Sequence, residues 1–231
     1  MVIKNMSKRV DFFRKIEGGI IQGACRYPEY YFAYKNVPSQ SDVLELGGGH
    51  SVLALTIYQA GNNVWVTELD QRCYMHHHNL GKKYKNYHAL KVKDEILPIL
   101  DGKLDVVISA SSIEHFDPDN DGDIKAINEA YRVLKDGGIF IVTIPVHKDY
   151  IKNRYAGHPI HPPEKVYNEK EYKKRFLIKF KEEEKMFWKW SSIMPTEYEA
   201  KPEWIKRGDI VSTEKAKGFD DASGLCVVLR K

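Results

Sequence analysis

Three consecutive glycines close a short apolar run in Asp42-Val43-Leu44-Glu45-Leu46-Gly47-Gly48-Gly49-His50-Ser51. A run without Cβ atoms lets the chain turn tightly and lets a ligand come up against the backbone. If a helix follows, its first N–H groups point at that ligand. Carboxylates recur around this turn. Glu45 stands two residues before the first glycine, Glu68 twenty-one residues after it, and Asp94 with Glu95 after a third apolar stretch. An acid at the position of Glu68 can accept hydrogen bonds from both hydroxyls of a ribose, and Asp94 can accept from an adenine amino group.

Two adenosine-bearing ligands use such a turn, and their charges separate them. A dinucleotide site wants G-x-G-x-x-G/A, with the last small residue packing helix on strand. The sixth position here is Val52. A pyrophosphate gains nothing from Glu45, whereas the sulfonium and amino group of S-adenosylmethionine are drawn to it. An NAD-dependent oxidoreductase is therefore the weaker alternative.

Other side chains invite chemistry less firmly. His115 follows the fourth strand and could serve as a general base for a hydroxyl or ammonium acceptor, or contact that acceptor. His147 stands at the same rim, after the fifth strand. Cys73, His76 and His77 fall at i, i+3 and i+4 of one helix, a spacing that suits a metal. That helix should face outward and it lacks further ligands, so His76-His77-His78 reads as a solvated helix and no metal is expected. His158-Pro159-Ile160-His161-Pro162-Pro163 is a stiff loop. Tyr27, Tyr30, Tyr31, Phe32 and Tyr34 recur as core aromatics do. Phe187, Trp188, Trp190 and Trp204 would pack the C-terminal segment or stack on rings.

These residues need elements to hold them. Residues 8–35 read as two short helices, with Pro28 in the first turn of the second. From Asp42 onward, short apolar runs alternate with helical spacings. Strands fall at 43–46, 64–67, 87–92, 104–109 and 139–144. Helices fall at 52–60, 71–83 and 124–134, the last stopped at Asp136-Gly137-Gly138. Such alternation predicts a parallel sheet with helices on both faces. Leu225 to Leu229 is one more strand, expected beside the core strands.

A chain of 231 residues that is 42% hydrophobic and 29% charged is globular and needs no disulfide to hold a core. No stretch approaches the roughly 20 apolar residues of a membrane span. Three scattered cysteines without a CxxC predict a reducing, cytoplasmic setting. The net charge is +4, and residues 151–189 alone hold eleven Lys/Arg against six Asp/Glu. That surplus could draw an anionic partner, although Lys181-Glu182-Glu183-Glu184-Lys185 reads as a solvated helix face.

Four stretches, in order, resemble the class I S-adenosylmethionine-dependent methyltransferases, in the methyltransferase type 11-like branch. They are Glu45 to Ser51, Leu104-Asp105-Val106-Val107-Ile108-Ser109, Ser112-Ile113-Glu114-His115-Phe116, and Tyr131-Arg132-Val133-Leu134-Lys135-Asp136-Gly137-Gly138. Ser51 replaces the last glycine of the family's first motif. The resemblance covers about residues 40–146. It implies an α/β fold, a three-layer α/β/α Rossmann-like sandwich whose mostly parallel seven-stranded sheet has an antiparallel last strand. It also implies S-adenosyl-L-methionine as cofactor. Glu45, Gly47, Gly48 and Gly49 would line its methionine side, Glu68 would hold the ribose, and Leu69 would lie on the adenine. Asp94 and Glu95 would meet the adenine edge, while Ser109 and Ser111 would border the methyl group. The division expected is a helical cap over 1–37 and the methyltransferase domain over 38–231, with 150–224 a substrate-side insertion. The expected acceptor is a small molecule or sugar. An RNA or protein acceptor and a non-catalytic cofactor-binding protein are the alternatives. The oligomeric state stays open.

Overall fold

The computed structural model describes residues 26–49, 52–93, 96–158, 162–190 and 213–231. The first of the two expected N-terminal helices lies outside these. The second is α1, Arg26–Asn36. Then come β1 (Asp42–Glu45), α2 (Leu53–Gln59), β2 (Asn63–Thr67), α3 (Gln71–Lys83), β3 (Tyr87–Leu90) and β4 (Leu104–Ala110). After β4 a single 3-10 turn, Ile113–His115, leads to α4 (Gly122–Val133) and β5 (Leu134–Pro145). The remainder is β6 (Ile151–Arg154), β7 (Glu164–Val166), α5 (Glu169–Phe176), β8 (Lys181–Trp190), β9 (Thr213–Lys215) and β10 (Gly224–Arg230).

The main sheet runs β3-β2-β1-β4-β5-β10-β8-β9. β1 to β5 are parallel, β10 lies antiparallel between β5 and β8, and β9 pairs antiparallel with β8. The seven strands expected are thus present with an antiparallel last strand, and β9 adds an eighth at the edge. Val43, Leu44, Val106, Val107, Phe140 and Ile141 are fully buried, because helices cover both faces of a parallel sheet. Phe32 of α1 and Leu53 and Ile57 of α2 pack on one face. Ile127 and Ala130 of α4, with Tyr172 and Phe176 of α5, pack on the other. Phe32 and Tyr30 are buried in the core. Asp70 caps α3 by accepting from the Arg72 and Cys73 N–H groups at 2.9 and 3.0 Å, which explains why this helix starts at Gln71.

Two sequence expectations are corrected. Lys181 to Lys185 form a strand, not a helix face. Among the described residues, β9 reaches only Trp188 to Trp190, so this half of β8 pairs with β10 alone there and has an open edge. Charged side chains on an open edge discourage further pairing, and their alternation imitates a solvated helix. Asp136-Gly137-Gly138 does not end a helix in a loop but lies within β5, beside the register shift against β4. In addition, the segment 150–224 supplies β8 and β9 to the main sheet. Phe187 and Trp188 of β8 are buried on opposite faces.

The β6–β7 hairpin and α5 are tied to α4 by buried charges. Asp123 and Lys165 have fully buried side chains and stand 3.0 Å apart. The Arg175 guanidinium reaches Asp123 at 3.1 Å, and the Tyr167 hydroxyl donates to it at 3.0 Å. Burial pushes the Tyr167 phenol well up, so it remains a donor. No helix of the described residues is long and apolar enough to cross a membrane.

Candidate active site

The glycine turn leaves β1 at Glu45, which is 2% exposed. Its shape is set by neighbouring strands. Leu46 N–H donates to the Ile108 carbonyl at 2.8 Å, Gly48 N–H to the Thr67 carbonyl at 3.2 Å, and Gly47 N–H to Thr67 Oγ1 at 3.0 Å. Gly47 and Gly49 have φ of +62° and +58°, a region that side chains disfavour. Gly48 is required for space, since a Cβ there would lie 2.4 Å from Val66 Cγ1. A Cβ on Gly49 would meet nothing within 4 Å, so this part of the loop borders open space.

Glu68 follows β2 and turns its carboxylate back to the loop, accepting from the Gly49 N–H. Burial raises its pKa, while the Gly49, Leu69 and Asp70 N–H groups pull the other way. The next side chain, Leu69, is 62% exposed. Asp94, Glu95, His50 and Ser51 lie outside the described residues.

The outward, solvated reading of the histidine helix fails at His77, which is fully buried. Its Nε2 lies 2.9 Å from the Gly49 carbonyl and its Nδ1 2.6 Å from the Tyr87 hydroxyl. A carbonyl only accepts, so Nε2 donates and Nδ1 accepts from tyrosine. His77 is thus a strut between β3, α3 and the glycine turn. Sequence reasoning missed it because its partners stand 28 and 10 residues away. The histidine replaced in His77→Phe would leave the Gly49 carbonyl and Tyr87 hydroxyl without this partner. A loss of about 1–3 kcal/mol is expected; unchanged denaturant unfolding would remove the strut from this account.

The mouth of β4 is a second cluster. Ser109 is enclosed, its hydroxyl 3.0 Å from Ser112 Oγ and 3.1 Å from the Ile113 N–H it accepts. Ser112 donates to the Leu46 carbonyl at 2.6 Å, which joins this turn to the glycine loop. Ser111 has φ of +47°, uncommon for a residue with a side chain. Its N–H donates to the Thr143 carbonyl at 3.0 Å and its hydroxyl to Glu29 of α1 at 2.7 Å. Glu29 is 3% exposed and was not anticipated as a site residue. His115 Nδ1 lies 2.9 Å from the Pro163 carbonyl. His147 is more exposed, and its Nδ1 accepts from the Asp149 N–H at 3.1 Å.

A strand-end glycine turn, an acid after β2 and a structured turn after β4 on this strand order define a Rossmann-like α/β fold. Residues 44–142 match the family model described as a methyltransferase domain, which supports a class I S-adenosylmethionine-dependent methyltransferase. It is 34% identical over 118 residues to 2-methyl-6-phytyl-1,4-hydroquinone methyltransferase 1, chloroplastic, of Oryza sativa subsp. japonica. That match takes in 49% of this chain and only 33% of the rice protein, so the chain spans about a third of its curated relative. Among solved structures, 1,6-didemethyltoxoflavin-N1-methyltransferase of Burkholderia thailandensis, with bound 1,6-didemethyltoxoflavin and S-adenosylhomocysteine, aligns with a TM-score of 0.63 at 13% identity. The alignment covers 98% of this chain and 88% of that one. An S-adenosylmethionine-dependent methyltransferase of Thermotoga maritima aligns at 0.59 and 17% identity, over 98% and 97% of the two chains. At these identities the likeness is one of fold.

Proposed function

We propose that the protein transfers a methyl group from S-adenosylmethionine to a small-molecule or sugar acceptor. The observation that carries this is the Glu68 carboxylate folded onto the Gly49 N–H, beside open space and the exposed Leu69. Bound S-adenosylmethionine supplies an electrophilic methyl on a sulfonium. Glu68 would hold the ribose hydroxyls, Leu69 the adenine face, and Asp94 with Glu95 the adenine edge. Glu45 and the turn Gly47-Gly48-Gly49 would receive the methionine end. Ser109 and Ser111 would border the methyl group, Ser109 held by Ser112 and the Ile113 N–H. His115 would contact the acceptor or take its proton. α1 belongs to a cap over 1–37, with 38–231 the methyltransferase domain and the β6–β7 hairpin on the acceptor side. The small-molecule reading is supported by the names of the rice and Burkholderia relatives. A reducing compartment such as the cytoplasm agrees with the free thiols of Cys73 and Cys226.

A second reading has its own observation. A cleft of about 540 Å³ is lined by Lys148, Lys170, Lys185 and Lys217, with Glu169 and Asp220 among them, around Phe187 and Phe219. Lysines about an aromatic floor suit an anionic acceptor such as RNA, whose binding would weaken steeply with salt. A flat salt profile removes it.

Calorimetry with S-adenosylmethionine and with NAD tests the main reading, which requires binding of the first alone. Glu68→Ala should lose about 1.5–3 kcal/mol of that affinity, and wild-type affinity would overturn the ribose assignment. The pH dependence has a definite sign. The ionised carboxylate is the better acceptor, and burial raises its pKa. Affinity should therefore fall on acidification, and begin to fall above the ordinary glutamate range of about 4.3. Methyl transfer itself is read with labelled cofactor against a panel of hydroxyl, amine and ring-carbon acceptors.

A further inference from the structure

We propose that Glu114, His115 and Glu164 form a divalent-cation site at the rim of the sheet, between the turn after β4 and the β6–β7 hairpin. One ligand atom from each lies within 4.8 Å of the others. Glu114 and Glu164 are 2% and 9% exposed, so two carboxylates are held in the interior around one imidazole. This is a different place from the Cys73 and His76 helix.

The orientation of His115 supports it. Nδ1 stands 2.9 Å from the Pro163 carbonyl, which can only accept, so Nδ1 carries a proton and Nε2 is the nitrogen turned to the two carboxylates. A backbone carbonyl fixing the outer nitrogen is how metal-binding histidines are oriented. Nε2 then faces Glu164 Oε2 at 3.7 Å, too far for a hydrogen bond. Arg154 holds the other oxygen, Glu164 Oε1, through Nε at 2.5 Å, so Oε2 is the one turned to the histidine. Two acceptors at that spacing match neighbouring ligand atoms around one ion with bonds of about 2.0–2.2 Å.

One nitrogen and two carboxylate oxygens suit first-row divalent ions such as Mn²⁺, Fe²⁺, Co²⁺ or Zn²⁺. Three protein ligands leave coordination positions open, as sites that act on a bound oxygen do. Resting on the methyl-transfer reading, with His115 a ligand in place of the proton acceptor, the open position takes an oxygen of the acceptor and eases its deprotonation. The acceptor class is then a hydroxyl-bearing molecule.

The test uses the full chain, stripped with chelator and titrated with Co²⁺ alone, followed by visible absorption and calorimetry. Saturable binding with ligand-field bands is expected. His115→Ala and Glu164→Gln should each weaken it by about tenfold or more, while His76→Ala leaves it unchanged. No saturable band, or binding lost in His76→Ala and kept in both rim variants, overturns the site. His115 is the more exposed ligand, so its variant stays informative if Glu164→Gln does not fold. S-adenosylmethionine calorimetry on the same preparation separates the two claims. Cofactor binding without Co²⁺ binding sinks the cation site alone, and Co²⁺ binding without cofactor binding sinks the methyl-donor reading alone.

Discussion

Asp123→Ala should destabilise the protein by about 3–5 kcal/mol, the effect of removing one partner from a buried charge network. Asp123 accepts from Tyr167 and faces both Lys165 and Arg175. Without it the Lys165 ammonium, whose side chain is fully buried, loses its anion in a place that water does not reach. Arg175 suffers less, because it keeps Glu171 at 3.0 Å and Asp121 at 2.9 Å. A domain of this size is stable by only about 5–15 kcal/mol, so the variant sits near its threshold. Urea unfolding gives the number. A second variant, Asp123→Ala with Lys165→Met, separates charge from packing. It should recover much of the loss, since an apolar side chain needs no counter-ion. A loss under about 1 kcal/mol in the single variant would show that the network does not hold the hairpin.

Gly47→Val should abolish measurable S-adenosylmethionine binding while the sheet remains folded. A β-branched residue at φ of +62° is strained by about 1–3 kcal/mol. Its Cβ would also lie 3.0 Å from Ser112 Cβ and Oγ. Ser112 cannot yield freely, because it donates to the Leu46 carbonyl at 2.6 Å. The loop must therefore move, and its N–H groups leave Thr67 and Glu68. Gly102→Ala is the control. Gly102 has the same φ of +62° but open space around it, so it carries strain without moving the turn. Equal cofactor affinity in Gly47→Val and wild type would take the turn out of the site.

The interior strands were legible because a parallel strand covered on both faces must be apolar along its length. Val43 to Leu46, Leu104 to Ser109 and Ile139 to Ile144 meet that demand apart from Glu45, Asp105, Ser109 and Thr143. α3 was legible to the residue, since Asp70 caps it. β8 was not, because an open edge selects charge where an interior position selects valine. The glycine turn was legible for a different reason: positive φ at Gly47 and Gly49 and the close approach of Val66 to Gly48 restrict residue type locally.

By itself the amino-acid sequence determined the strand and helix alternation, the glycine turn and the acid after the second strand. Each is enforced within a few residues by backbone sterics or burial. Tertiary structure alone decided that His77 braces Gly49, that Glu29 meets Ser111 across 82 residues, and that Glu164 comes to His115. Such pairings depend on how strands are ordered in the sheet, and a partner's distance along the chain leaves no mark on local residue choice.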